Sequence, residues 1–88
     1  TVEVEVSTIK EALDAVEAGA DIVMLDNMSP DEMRKVVKLV SGRVKVEASG
    51  GVTLANVRAV AETGVDIISI GALTHSAKTL DISLELEP

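Results

Sequence analysis

"EAGADIVMLD" fills residues 17–26, and "ETGVDIISIG" fills residues 62–71. Aligned, Glu17 falls on Glu62, Gly19 on Gly64, Asp21 on Asp66 and Ile22 on Ile67, a constant displacement of 45 positions (62 − 17). In each copy a glycine follows a run with helical spacing, and a short apolar run follows the glycine. Glycine closes a helix because it enters the left-handed conformation without a Cβ penalty. A brief β-branched run after it reads as a buried strand. A helix stop joined to a strand start, twice over, predicts repeated βα units.

The same alternation extends outward from both copies. "VEVEV" (Val2–Val6) alternates strictly, as a strand with one apolar face does. "STIKEALDAVEAG" places Ile9, Ala12, Leu13 and Val16 at helical spacing before Gly19. Ile22–Leu25 is the second strand. In "NMSPDEM", Ser29 and Glu32 form an S-x-x-E capping box and Pro30 suits the first helical turn. Met33, Val36, Val37 and Val40 give that helix a buried stripe, and Gly42 ends it. Val44–Ala48 is the third strand. Thr53 is placed to cap a third helix carrying Leu54, Val57 and Ala61, with Gly64 as its stop. Ile67–Ile70 is the fourth strand. "LTHSA" reads as a short turn, and "LDISLEL" as a last strand or an extended tail. "VEV" at 4–6 also resembles "VEA" at 46–48, if the loop containing Gly50 and Gly51 is treated as a local insertion.

The predicted class is α/β: a parallel βαβαβαβ unit with its strands side by side in chain order. A complete (βα)₈ barrel takes about 250 residues, so 88 residues supply about half of a TIM-type barrel. We expect residues 1–88 to be a single half-barrel domain, a fragment of a longer chain.

Composition narrows the function. Eight Lys and Arg stand against fifteen Asp and Glu, for a formal net charge of −7. Such a surface repels polyanions. The absence of Phe, Tyr and Trp removes the stacking platforms that single-stranded bases use. We expect no nucleic-acid partner. There is no cysteine for a disulfide or a thiolate metal site. No apolar run approaches the roughly eighteen residues of a membrane span, and no leader pattern opens the chain. A cytoplasmic setting is expected.

Side chains alternate across a strand. Glu3 and Glu5 share one face of the first strand, Ile22, Met24 and Asp26 one face of the second, and Lys45, Glu47 and Ser49 one face of the third. The opposite faces are β-branched and should pack under the helices. Glu3, Lys45 and Glu47 suit an ion-pair network filling a barrel interior. The strand ends are different, because chemistry in parallel α/β folds gathers at the carboxyl ends of the strands. Glu5, Asp26 with Asn27, Ser49-Gly50-Gly51 and Gly71 all fall there. Two carboxylates on neighbouring strands suit a hard divalent cation bound through oxygen. Ser-Gly-Gly before a helix offers backbone N–H groups with no Cβ in an anion's way. Each feature has a structural alternative: Gly-Gly also makes a tight βα turn, Asp-Asn also forms turns, and His75 also suits a polar surface turn.

These motifs together resemble a known family. "VEVEV", "EAGADIVMLDNMSPDE", "EASGGVTLANV", "TGVDIISIGALTHSA" and "LDISLEL" are similar to the C-terminal part of quinolinate phosphoribosyltransferase. The resemblance runs almost end to end, and "MLDN", "EASGG" and "GALTHSA" at these spacings are its specific elements. It implies transfer of ribose 5-phosphate from phosphoribosyl pyrophosphate to the quinolinate nitrogen. Decarboxylation then gives nicotinate mononucleotide, CO₂ and pyrophosphate, with Mg²⁺ required. By residue matching it implies that Glu5 and Asp26 hold the ribose and Mg²⁺–pyrophosphate end. Ser49, Gly50 and Gly71 would surround a phosphate, with His75 nearby.

The family's cluster of Arg, Lys and His that grips the anionic substrates comes from parts with no match here. Of this chain's cations only Lys45 falls on the polar strand face. The isolated chain is therefore expected to be inactive, the metal- and phosphate-binding half of an enzyme. The alternative is a non-catalytic half-barrel that self-associates, as a homodimer or larger, and at most binds phosphate. Head-to-tail pairing of two halves into an eight-stranded barrel is the expected geometry.

Overall fold

A computed structural model of the chain describes residues 1–40, 42–73 and 79–85. In chain order the elements are β1 (Glu3–Val6), α1 (Ile9–Glu17), β2 (Ile22–Asp26), α2 (Pro30–Val40), β3 (Lys45–Ser49), α3 (Val57–Ala61), β4 (Ile67–Leu73) and β5 (Thr79–Glu85). They form one sheet of order β1-β2-β3-β4-β5. The first four strands pair in parallel, as expected.

The last segment is a strand, and β4 runs to Leu73, beyond the expected end at Ile70. β5 returns antiparallel along β4, with Gly71 opposite Asp81 and Leu73 opposite Thr79. A parallel return needs a crossover of a dozen or more residues, and residues 74–78 are too few. β5 therefore covers the outer edge of β4. The head-to-tail closure expected between two copies required that edge to be open, and this arrangement does not offer it.

The helices bury the apolar strand face. Val6, Val23, Leu25, Val46, Ala48, Ile68 and Ile70 pack in one core with Ala12, Ala15 and Val16 of α1, Met33, Val36 and Val40 of α2, and Val60 of α3. Without aromatic side chains this core is built from branched aliphatics, alanine and methionine. Capping boxes fix two helix starts. Glu11 N–H donates to Thr8 Oγ1 at 3.1 Å while Glu11 Oε1 accepts from Thr8 N–H at 3.1 Å. Ser29 and Glu32 do the same, as their spacing predicts.

The third helix departs from expectation. It starts at Val57 rather than at Thr53, and Leu54 is 77% exposed. The reason is a competing tie across residues 51–56, described below.

The internal repeat is real but shifted. Val2 N–H donates to Asp21 Oδ2 at 2.7 Å, and Val46 N–H donates to Asp66 Oδ2 at 2.8 Å. Asp21 and Asp66 return the bond through their own N–H groups to Val2 O and Val46 O, each at 2.8 Å. Glu3 pairs with Ile22 as Glu47 pairs with Ile67. The counterpart of Val46-Glu47-Ala48 is therefore Val2-Glu3-Val4, two residues before the Val4–Val6 alignment suggested by sequence. A shift of two leaves every side chain on its original face.

Leu25→Ala, at a position with no solvent exposure, is expected to lower unfolding free energy by about 2–5 kcal/mol. Leu54→Ala should change it by less than about 0.5 kcal/mol. Urea denaturation followed by circular dichroism reads both.

Candidate functional site at the carboxyl ends of the strands

Three strand ends meet on the face away from the helices. Asp26 is the last residue of β2 and pairs with Ser49, the last residue of β3. Both are half-buried. Glu5 pairs with Met24, one alternation before Asp26, so Glu5 and Asp26 are diagonal neighbours on the open face, and Glu5 is exposed. The structure thus brings Asp26 and Ser49 side by side, with Glu5 one step away on the next strand. Gly71 does not end its strand: it lies inside β4 and pairs with Asp81. His75 lies outside the described residues.

The two loops that leave β2 and β3 are packed against each other. Asn27 N–H donates to Ser49 O at 3.0 Å, extending the ladder past Asp26. Asn27 then turns into the left-handed region with φ 56°, which asparagine tolerates better than most residues. Met28, buried in the core, and the Ser29–Glu32 box anchor the chain on its far side. On β3, Gly50 and Gly51 have φ of 67° and 77°.

The glycines make room first for protein. A Cβ on Gly50 would overlap Asp26 Oδ1 and come within 3.1 Å of Asn27 N. A Cβ on Gly51 would lie 2.8 Å from Asn27 Oδ1. The space expected to stand clear for a phosphate beside the Gly50 α-carbon is held by the Asp26 carboxylate. What remains for an anion at Gly50 is its backbone N–H.

Asn56 ties this loop together. Its Nδ2 donates to Gly51 O at 2.8 Å and its Oδ1 accepts from Thr53 N–H at 2.8 Å. The second bond is half of a capping box, with Asn56 reaching back to Thr53. The residues between are held as a turn, with Asn56 N–H donating to Thr53 O at 3.2 Å, and α3 starts only after it. The T-x-x-N spacing carried this signal in the sequence.

Below the rim, Glu47 is buried and accepts a hydrogen bond from Ser69 Oγ at 2.9 Å. Glu3 and Lys45 both pair with Ile22. They stand two strands apart, about 10 Å by ordinary strand spacing, so Glu3 is not Lys45's strand neighbour in the expected network. Lys10, Arg34, Lys35, Lys38, Arg43 and Arg58 are exposed on helices and loops, as expected, and Lys78, expected to do the same, lies outside the described residues. Among the described residues no three His, Cys, Asp or Glu side chains cluster to hold a metal ion. Glu5 and Asp26 are two hard oxygen donors.

The chain as a whole is similar to known proteins. The family model described as "Quinolinate phosphoribosyl transferase, C-terminal domain" matches residues 1–85. The nicotinate-nucleotide pyrophosphorylase [carboxylating] of Rattus norvegicus is 52% identical over 88 residues, covering 97% of this chain and 29% of that protein. The probable enzyme of that name from Bacillus subtilis is 48% identical, with the same two shares. The solved nicotinate-nucleotide pyrophosphorylase from Francisella tularensis superposes with a TM-score of 0.78 at 42% identity, covering 93% of this chain and 30% of that one. This chain thus spans under a third of the length of these relatives.

Asn56→Ala should speed amide hydrogen exchange at Thr53, whose N–H loses its acceptor. It should cost about 1–2 kcal/mol of stability for two exposed hydrogen bonds. Native-state exchange by NMR checks the first, and urea denaturation the second.

Proposed function

The chain belongs to the quinolinate phosphoribosyl transferase C-terminal domain family, and we propose that it forms the carboxylate and phosphate part of a phosphoribosyltransferase of NAD biosynthesis. In this reading the complete enzyme joins quinolinate to the ribose of phosphoribosyl pyrophosphate and yields nicotinate mononucleotide, CO₂ and pyrophosphate. The observation that carries it is the pairing of Asp26 with Ser49, with Glu5 diagonal to Asp26 on the open face.

The chemistry suits these groups. Departure of pyrophosphate leaves cationic character at the ribose carbon, and a fixed carboxylate stabilises it without reorganising. Glu5 and Asp26 are placed for that role. They are also the residues that would hold Mg²⁺, which commonly takes one or two carboxylates plus substrate phosphates. When bound, the cation offsets the negative charge gathering on the leaving group. Ser49 and the Gly50 N–H bind a phosphate at the adjacent strand end, with Gly71 and His75 assigned to the same phosphate.

The substrates are strongly anionic, and Lys45 is the strand cation on the open side. A net charge of −7 repels them further. The cations that neutralise them belong to other parts of the enzyme, so the chain alone does not turn over. We place the protein in the cytoplasm. No helix among the described residues is long and apolar enough to cross a membrane.

A second reading is a self-associating module that at most binds phosphate. It is favoured by β1, which stands first in the strand order and leaves an edge able to pair with another chain.

Four measurements test these readings. The chain with quinolinate, phosphoribosyl pyrophosphate and Mg²⁺ should form no nicotinate mononucleotide. Measurable product would overturn the claim that it is incomplete. Water-proton relaxation should detect Mn²⁺ on the parent chain, and Asp26→Asn should weaken it at least about tenfold, one charged contact's worth. Equal Mn²⁺ affinity in parent and variant would remove Asp26 from the cation site. Titration with inorganic phosphate should move the Gly50 amide resonance; no shift there would remove Gly50 from phosphate binding. Sedimentation at one protomer mass over all accessible concentrations would exclude the self-associating module.

A further inference from the structure

We infer that Gly50 is a positioning residue for the Asp26 carboxylate: its missing side chain is the slot in which that carboxylate is held. Three independent features converge on this. The register sets Asp26 opposite Ser49, so the residue after Ser49 must pass beside Asp26. Gly50 has φ 67°, in the left-handed region that favours glycine. A Cβ built there would overlap Asp26 Oδ1 and crowd Asp26 Cγ at 3.3 Å. The next pair repeats the device, with Gly51 open toward Asn27 Oδ1.

Gly19 and Gly42 show that a positive φ alone does not require such a slot. Gly19 and Gly42 have φ of 94° and 79°, yet a Cβ on either would meet nothing within 4 Å. They end helices. Gly50 carries the same backbone demand and, in addition, a carboxylate against its α-carbon. Alanine at 50 must therefore swing the Asp26 carboxylate out of this position, or push the two loops apart.

The catalytic weight of this positioning rests on the role proposed above for Asp26. The decisive experiment uses no ligand, so it stands apart from that role. A chain that bound no Mn²⁺ would sink the proposed cation site without touching the result here.

The experiment is a set of thermal melts with Gly42→Ala as the backbone control. Gly42→Ala should lower Tm by about 5–10 °C, the effect of forcing alanine to a positive φ. Gly50→Ala should lower it by at least about twice as much. Adding Asp26→Ala to Gly50→Ala should recover the excess, leaving a melt close to that of Gly42→Ala. In the folded Gly50→Ala variant at low temperature, the Asp26 side-chain couplings and Cγ resonance should move, while Gly42→Ala leaves them unchanged. That signature separates positioning from a general loss of stability.

If Gly50→Ala does not fold, folding of the double variant supports the inference and failure of both overturns it. Equal Tm losses for Gly50→Ala and Gly42→Ala overturn it, as do no recovery in the double variant or an unmoved Asp26 signature.

Discussion

Everything at the rim depends on all three crossover helices lying on one side of the parallel strands. Crossovers of this kind share a hand, so α1, α2 and α3 stack on the apolar face and bury one aliphatic core. The opposite face is left to polar side chains, and the strands all point their carboxyl ends the same way. A carboxylate at the end of β2 and a serine at the end of β3 are then neighbours by topology, although more than twenty residues separate them in the chain.

The two ends of the sheet are built differently. At the amino ends, Asp21 and Asp66 clamp the start of each repeat to the strand before it through paired hydrogen bonds. At the carboxyl ends the repeats diverge: Val6 leads through Ser7 into a capping box, whereas Ser49 leads into two left-handed glycines. The duplicated part is the framework, and the site proposed above sits where the copies differ. This division is common to βα architectures, in which loops vary over a fixed scaffold.

The strand order, the helix spacing and the two-faced strands were legible because they rest on periodicity, and β1 shows it, with exposed Glu3 and Glu5 alternating with half-buried Val4 and buried Val6. The S-x-x-E box was legible for the same local reason. The direction of β5 depended on the number of residues between it and β4, which the alternation in "LDISLEL" does not encode. The repeat register was ambiguous because "VEVEV" contains "VEV" twice, and only Asp21's bond to Val2 chooses between them. The glycine pair was legible as an unusual backbone, but not as the complement of Asp26. That fit lies between residues distant in sequence, and no single stretch contains it. Leu54 was misplaced because helical spacing hid the Asn56 tie that holds the chain out of the helix.

The aliphatic core has an optical consequence. A protein with no tryptophan, tyrosine or phenylalanine has almost no absorbance near 280 nm and no intrinsic fluorescence, so its own spectrum is dark. Leu54 stands exposed between the glycine pair and α3. A tryptophan substituted there would be the chain's sole fluorophore, reporting on one loop against a silent background.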